Sequence, residues 1–152
     1  MSLPKKTRVL IWHWGRRGAG PRYTFELARV LSADPSLEVF LSLSRQSEMY
    51  GRFGSLGLPA FDIDTYTGKL SALAGLARVP GARRGFERFL RENRIEVAYC
   101  PMTHLWNLFM LGTLKRANVK YLLTVHDASP HPGENFFIRG WLLGREMGAA
   151  DR

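Results

Sequence analysis

One cysteine, Cys100, among 152 residues rules out an internal disulfide framework and fits a reducing compartment. It reads as a small buried hydrophobe. No apolar run approaches the roughly 18 residues of a membrane span, and the start, Met1-Ser2-Leu3-Pro4-Lys5-Lys6-Thr7, lacks the apolar segment of a signal peptide. These absences lead to the expectation of a cytoplasmic protein, soluble or peripheral at the inner face of the membrane. Acidic residues are also scarce, with 13 Asp and Glu against 22 Lys and Arg, a net charge of +9. That excess favours a polyanion of some kind, whether nucleic acid, an anionic bilayer or a phosphorylated small molecule, and does not choose among them.

What is present is enough apolar material, 45% of the chain, for a single domain with a sizeable core spanning 1–152. Five short apolar runs rich in β-branched and aromatic residues read as strands: Arg8 to Trp14, Leu37 to Leu43, Leu58 to Ile63, Ile95 to Cys100 and Val119 to Val125. Helical patterns separate them. The first starts near Pro21 with a stripe of Tyr23, Leu27, Val30 and Leu31. A short helix and loop occupy Gln46 to Leu58, and Thr67 to Asn93 is helical but broken at Pro80-Gly81. Leu105 to Ala117, capped by Thr103, is apolar around nearly its whole circumference, and Asn135 to Ala149 forms a last helix. Strands alternating with helices at this spacing predict an α/β, Rossmann-like parallel sheet of order 3-2-1-4-5 with helices on both faces. The loops after the first, fourth and fifth strands then leave side by side at the switch point where such sheets hold ligands.

Two of those loops carry chemistry. After the first strand comes Gly15-Arg16-Arg17-Gly18-Ala19-Gly20-Pro21-Arg22, whose glycines let the backbone approach a ligand at the start of a helix, where free N–H groups suit a phosphate. The spacing is not that of a dinucleotide fingerprint, and the second strand ends in Ser44-Arg45 without an acidic residue, which disfavours NAD and leaves NADP a minor alternative. After the fifth strand comes Thr124-Val125-His126-Asp127-Ala128-Ser129-Pro130-His131-Pro132-Gly133-Glu134, four titratable side chains within nine residues on a proline-stiffened loop. His104, at the start of the helix after the fourth strand, is placed to line the same cleft.

Asp62-Ile63-Asp64 puts two carboxylates on one face of a strand, a weak divalent-cation signal. A zinc hydrolase built on His126, Asp127 and His131 is a third-rank reading, since Pro130 prevents a ligand-bearing helix there. The segment Leu70 to Arg94, with Leu70, Leu73 and Leu76 followed by six arginines, suits either packing on the sheet through Phe86, Phe89 and Leu90 or additional contact with an anionic membrane.

The His126 loop and the glycine loop resemble the loops after the fifth and first strands in the amino-terminal, acceptor-side domain of the family 4, GT-B type glycosyltransferases. The resemblance covers nearly the whole chain and amounts to half of such an enzyme. It implies a hexosyltransferase-type enzyme, of retaining stereochemistry, moving a sugar from a UDP- or GDP-linked donor to a hydroxyl of a lipid-linked or polysaccharide acceptor. It implies catalytic roles for His126 and Asp127, and substrate contacts for Gly15, Gly18, Ala19, Gly20, Arg22, His104, His131 and Glu134. It calls for no metal and no cofactor beyond the donor, and for a C-terminal nucleotide-sugar-binding domain absent from these 152 residues, so the isolated chain is expected to be inactive. Arg16 and Arg17 stand where many relatives have a small or acidic residue. The alternative is a stand-alone Rossmann-like domain that binds a nucleotide or nucleic acid without catalysis. Against nucleic acid, no recognition module is present and the aromatics are not interleaved with the basic residues.

Overall fold

The computed structural model describes residues 5–68, 71, 74–125 and 136–151. Strand β1 (Thr7–His13) runs up the middle of a five-stranded sheet, with β2 (Leu37–Ser44) on one side and β4 (Val97–Cys100) on the other. Strand β3 (Ala60–Ile63) lies outside β2, and β5 (Lys120–Leu123) outside β4. Every pairing is parallel, and the order is β3-β2-β1-β4-β5, as the alternation of strands and helices predicts. Helices α1 (Ala19–Ser32), α2 (Tyr50–Phe53), α3 (Val79–Glu92), α4 (Leu108–Arg116) and α5 (Phe136–Ala149) follow the five strands in turn. All carboxyl ends of the strands therefore share one edge, and the order reverses at β1.

β1 is covered on both faces, which is why it reads as a continuous apolar run. Leu10, Trp12 and Trp14 face Phe86, Leu90, Trp106, Met110 and Leu114, while Ile11 faces Phe25, Ala28 and Leu41. The Trp12 and Trp14 rings meet edge to face at 5.2 Å, and the Trp14 indole N–H donates to Ser42 Oγ at 3.0 Å. Gly75 lies flush beneath Trp106, where a Cβ would stand 2.6 Å from the indole.

The helices correct several expectations. α1 buries Gly20, Pro21, Thr24, Phe25 and Ala28, with Leu27 and Leu31 packed at the margin, whereas Tyr23 and Val30 are exposed; its buried face is one large ring, Phe25, set among smaller residues. Pro80 does not break a helix but begins one, because α3 starts at Val79 and a residue in the first turn has no use for its N–H. α3 then packs through Phe86 and Leu90, and Phe89 meets Phe40 and Phe61 at 6.2 and 5.8 Å, so the packing role of this segment is realised. Leu70 and Leu73 lie outside the described residues. On its outer side Glu87 accepts from Arg91 at 3.1 Å and Arg116 at 2.8 Å, and these guanidinium groups hold its carboxyl below the usual range. The helix after β4 is apolar nearly all round but is not buried all round: Trp106, Met110 and Leu114 are buried while Leu105 and Phe109 are exposed. Its start is capped by His104, whose Nδ1 accepts from the Trp106 N–H at 3.3 Å, and Thr103 is exposed instead.

Both α3 and α4 stop on a residue in the left-handed region, Arg94 (φ 48°) and Asn118 (φ 56°). The next amide reaches back to close the helix, Ile95 to the Leu90 carbonyl at 2.9 Å and Val119 to the Leu114 carbonyl at 3.0 Å. At the chain's other end Asp151 pins α5 to β5, its amide donating to the Tyr121 carbonyl at 2.9 Å and its carboxylate accepting from the Tyr121 amide at 2.7 Å.

Candidate functional site

The carboxyl end of β1 delivers His13, a residue that pattern reading assigned only to the strand. Its side chain is on the Ile11 face, buried to 3% exposure, and is wrapped by the following loop. A Cβ at Gly15 would stand 2.5 Å from His13 Nε2, and one at Gly20 would stand 2.9 Å from His13 Cε1 and 2.8 Å from Met102 Sδ. The glycines are thus required by an imidazole lodged against the first turn of α1. Neither ring nitrogen has a hydrogen-bond partner in good geometry among the described residues. Burial pushes the His13 pKa down to about 4, with the Met102 backbone opposing in part. The ring is neutral near pH 7, one nitrogen able to donate and the other to accept.

Beside it stands His104, from the loop after β4. Its ring stacks on Tyr66 at 5.6 Å and meets Trp14 edge-on at 6.5 Å. Burial, then the neighbouring His13 and Arg16, lower its pKa to about 3. Because His104 Nδ1 accepts from the Trp106 amide, its proton sits on Nε2. The Arg16 guanidinium covers the Tyr66 ring at 5.0 Å and donates to the Thr67 carbonyl at 3.0 Å. A layered stack of Arg16, Tyr66 and His104 therefore ties the loop after β1 to the loops after β3 and β4.

Gly18 caps α1 with φ +87°, a conformation L side chains avoid, and its amide donates to Glu48 Oε1 at 3.0 Å. Glu48 in turn donates its own amide to the Arg16 carbonyl at 2.9 Å. Ala19 and Arg22 are exposed in the first turn of α1. On the next turn Tyr23 is hydrogen-bonded to Tyr99, which raises the Tyr23 pKa, and Tyr99 Oη is hydrogen-bonded to Thr124 Oγ1 at 2.6 Å, either hydroxyl being able to donate. A line of hydroxyls thus runs from α1 across β4 to the end of β5.

Of the residues singled out in the sequence, Gly15, Gly18, Ala19, Gly20 and His104 come together at this edge, with Arg22 exposed beside them. His126, Asp127, His131 and Glu134 lie outside the described residues; β5 and Thr124 bring the chain to the same edge immediately before them. Asp62 and Asp64 are already engaged. Tyr50 Oη donates to Asp62 at 2.7 Å, while Arg45 and Gln46 donate to Asp64 at 3.1 and 2.9 Å and lower its pKa. Cys100 is buried as expected, yet it is not a mere hydrophobe: its thiol donates to the Met102 carbonyl at 3.0 Å and accepts from Asn107 Nδ2 at 3.2 Å. His13, Tyr66, Tyr99 and Glu48 were not legible as site residues. The one available signal was a histidine at the end of a buried strand next to a glycine run. The groove lined by Lys5, Arg8, Glu38, Arg94 and Glu96 opens at the amino ends of the strands, opposite the site.

No protein-family model and no curated protein sequence matches the chain. Solved structures do. MurG of Acinetobacter baumannii superposes with a TM-score of 0.71 at 11% identity, over 95% of this chain and 40% of that one. A UDP-N-acetylglucosamine 2-epimerase superposes with a TM-score of 0.66 at 14% identity, over 97% of this chain and 41% of that one. The fold is one half of a GT-B architecture. The chain spans about two fifths of the length of these structures. No helix of the described residues is long and apolar enough to cross a membrane.

Proposed function

We propose that the chain is the N-terminal, acceptor-side domain of a nucleotide-sugar-dependent glycosyltransferase, of the family 4 type and retaining in stereochemistry as the resemblance implies, transferring a hexose from a UDP- or GDP-linked donor to a hydroxyl.

 The observation that carries this reading is the meeting of the glycine loop, His13 and His104 at the switch point of a GT-B half-fold, on the edge to which β5 leads the His126 segment. In this reading His126 stabilises the charge that develops as the glycosidic bond breaks, and Asp127 orients it. The neutral imidazoles of His13 and His104 supply uncharged hydrogen-bonding groups beside the acceptor, and the Tyr23, Tyr99 and Thr124 hydroxyls line the approach. The donor's nucleotide belongs to a C-terminal domain, so these 152 residues alone turn over little or nothing. The exposed guanidinium groups of Arg84 and Arg88 on α3 suit an enzyme working at an anionic inner membrane face on a lipid-linked or polysaccharide acceptor.

The match to an epimerase supports a second reading, a nucleotide-sugar enzyme that rearranges its substrate without an acceptor. The test is to express the complete reading frame and assay UDP- and GDP-sugars with and without a polyol acceptor, comparing wild type with His126→Ala. Acceptor-dependent release of the nucleoside diphosphate, largely abolished by the substitution, supports transfer. Isomerisation without an acceptor supports the second reading, and no response to any nucleotide-sugar removes both.

A further inference from the structure

Next to the turn Leu105–Asn107, which begins at His104, four polar side chains meet in the interior: Cys100 from β4, Asn107 from the turn, Tyr121 from β5 and Glu146 from α5, none more than 2% exposed. A hydrogen-bonded line runs through them in one direction. Asn107 Nδ2 donates to Cys100 Sγ at 3.2 Å, and the thiol donates to the Met102 carbonyl at 3.0 Å. Asn107 Oδ1 is left as an acceptor without a donor, and Tyr121 Oη and both Glu146 carboxyl oxygens likewise have no partner in good geometry among the described residues. With Glu146 ionised, its two oxygens and Asn107 Oδ1 share a single hydroxyl hydrogen, that of Tyr121; a proton on Glu146 supplies a second. Asn107 in turn shapes the candidate site. Its amide donates to the His104 carbonyl at 2.9 Å, closing the turn in which the Trp106 amide donates to His104 Nδ1 at 3.3 Å.

We propose that Glu146 is a positioning residue that works in its protonated form: its carboxyl O–H donates to Asn107 Oδ1, and through Asn107 it sets the turn that carries His104. The inference rests on reading this edge as the substrate site, and it adds the group that holds the edge in shape. The titratable side chains facing Glu146 are Cys100 and Tyr121. Burial pushes the thiol up to about 12 and raises the phenol as well, so both stay neutral. Lys115 on α4, Lys120 on β5, Arg145 on α5 and Asp151 line the groove between these elements, and none of them offsets the burial of Glu146. That burial raises its pKa from 4.5 to about 7, with Asn107 opposing. Below about pH 7 the carboxyl keeps its proton and braces Asn107; above it the carboxylate and Asn107 Oδ1 repel, and the hold on the turn is lost.

The test follows the His104 ring nitrogens and the Trp106 amide by heteronuclear NMR from about pH 5 to about pH 9 in wild type, Glu146→Gln and Glu146→Leu. Burial puts the pKa of His104 at about 3 and that of His13 at about 4, so neither ring titrates in this range and a shift reports the turn. In wild type the His104 and Trp106 signals are expected to move together with a midpoint near pH 7. Glutamine keeps a donor for Asn107 Oδ1 at every pH, so Glu146→Gln is expected to stay at the low-pH wild-type positions throughout. Leucine removes the charge and the donor alike, and Glu146→Leu is expected to be independent of pH at positions displaced from those of low-pH wild type. Wild-type signals that do not move across the range overturn the proposal, a result readable even if no variant folds. The same shift and midpoint in either variant overturns it too, by assigning the titration to another group. So does a Glu146→Leu spectrum that coincides with low-pH wild type at His104 and Trp106, since Glu146 would then bear on α5 alone. Because no nucleotide-sugar is involved, this can fail while the transferase assay succeeds, and the reverse.

Discussion

At Gly15 the space for a side chain is already taken by the His13 imidazole, 2.5 Å from where a Cβ would be, and the same ring and Met102 close off Gly20. Gly15→Ala and Gly20→Ala are therefore expected to destabilise the protein by about 1–3 kcal/mol through overpacking. Gly18→Ala meets no neighbour but must hold φ +87°, at a cost of about 1–2 kcal/mol. Denaturant titration of the three variants checks this; a Gly15→Ala protein as stable as wild type would mean that His13 can leave its seat. The glycines were visible in the sequence as a loop of unusual backbone, but the group they accommodate was not. A ligand and a buried side chain impose the same demand on a backbone, and only the fold shows that His13, two residues before Gly15, is the one that comes close.

Elements were legible where a single rule decided them. Continuous apolar runs marked the five strands, and their alternation with helices predicted the order, because parallel strands need crossover helices. Rules that depend on neighbours misled: Pro80 looked like a break because its lack of an N–H matters in a helix interior and not in a first turn, and Tyr23 and Val30 looked buried because they share a stripe that only partly faces the sheet. Helix ends were least legible, since α3 and α4 close on Arg94 and Asn118 where glycine is usual. Arg94→Gly is accordingly expected to stabilise the protein by about 0.5–1 kcal/mol, relieving a left-handed conformation at an exposed position with the Ile95-to-Leu90 bond retained. A fall in melting temperature on this substitution would show that the side chain, and not the backbone strain, decides this cap.

Across the whole molecule two sets of buried groups pull stability in opposite directions with pH. His13 has its pKa lowered from 6.5 to about 4 by burial, so the unfolded chain takes up a proton that the folded chain refuses; the folded state loses stability as pH falls between those values, by about 3 kcal/mol in total. His104 acts in the same sense, its pKa lowered to about 3. Glu146 on α5 is the opposite case. It is 1% exposed, neither carboxyl oxygen has a partner in good geometry among the described residues, and burial raises its pKa from 4.5 to about 7, with Asn107 opposing. Its contribution is complete below pH 4.5 and is lost as pH rises through about 7, again by about 3 kcal/mol. Between these limits the two trends offset, and two histidines outweigh one carboxyl, so stability is expected to decline gently on acidification. Glu146→Gln keeps the polar shape beside Asn107 and removes the proton. It is expected to raise stability at pH 8 by about 2–3 kcal/mol, to leave stability at pH 4 nearly unchanged, and to make the decline on acidification steeper than in wild type. Melting temperatures of the two proteins from pH 4 to 8 test this: parallel curves would show that Glu146 ionises as freely in the folded chain as in the unfolded one, and that α5 docks without the constraint described.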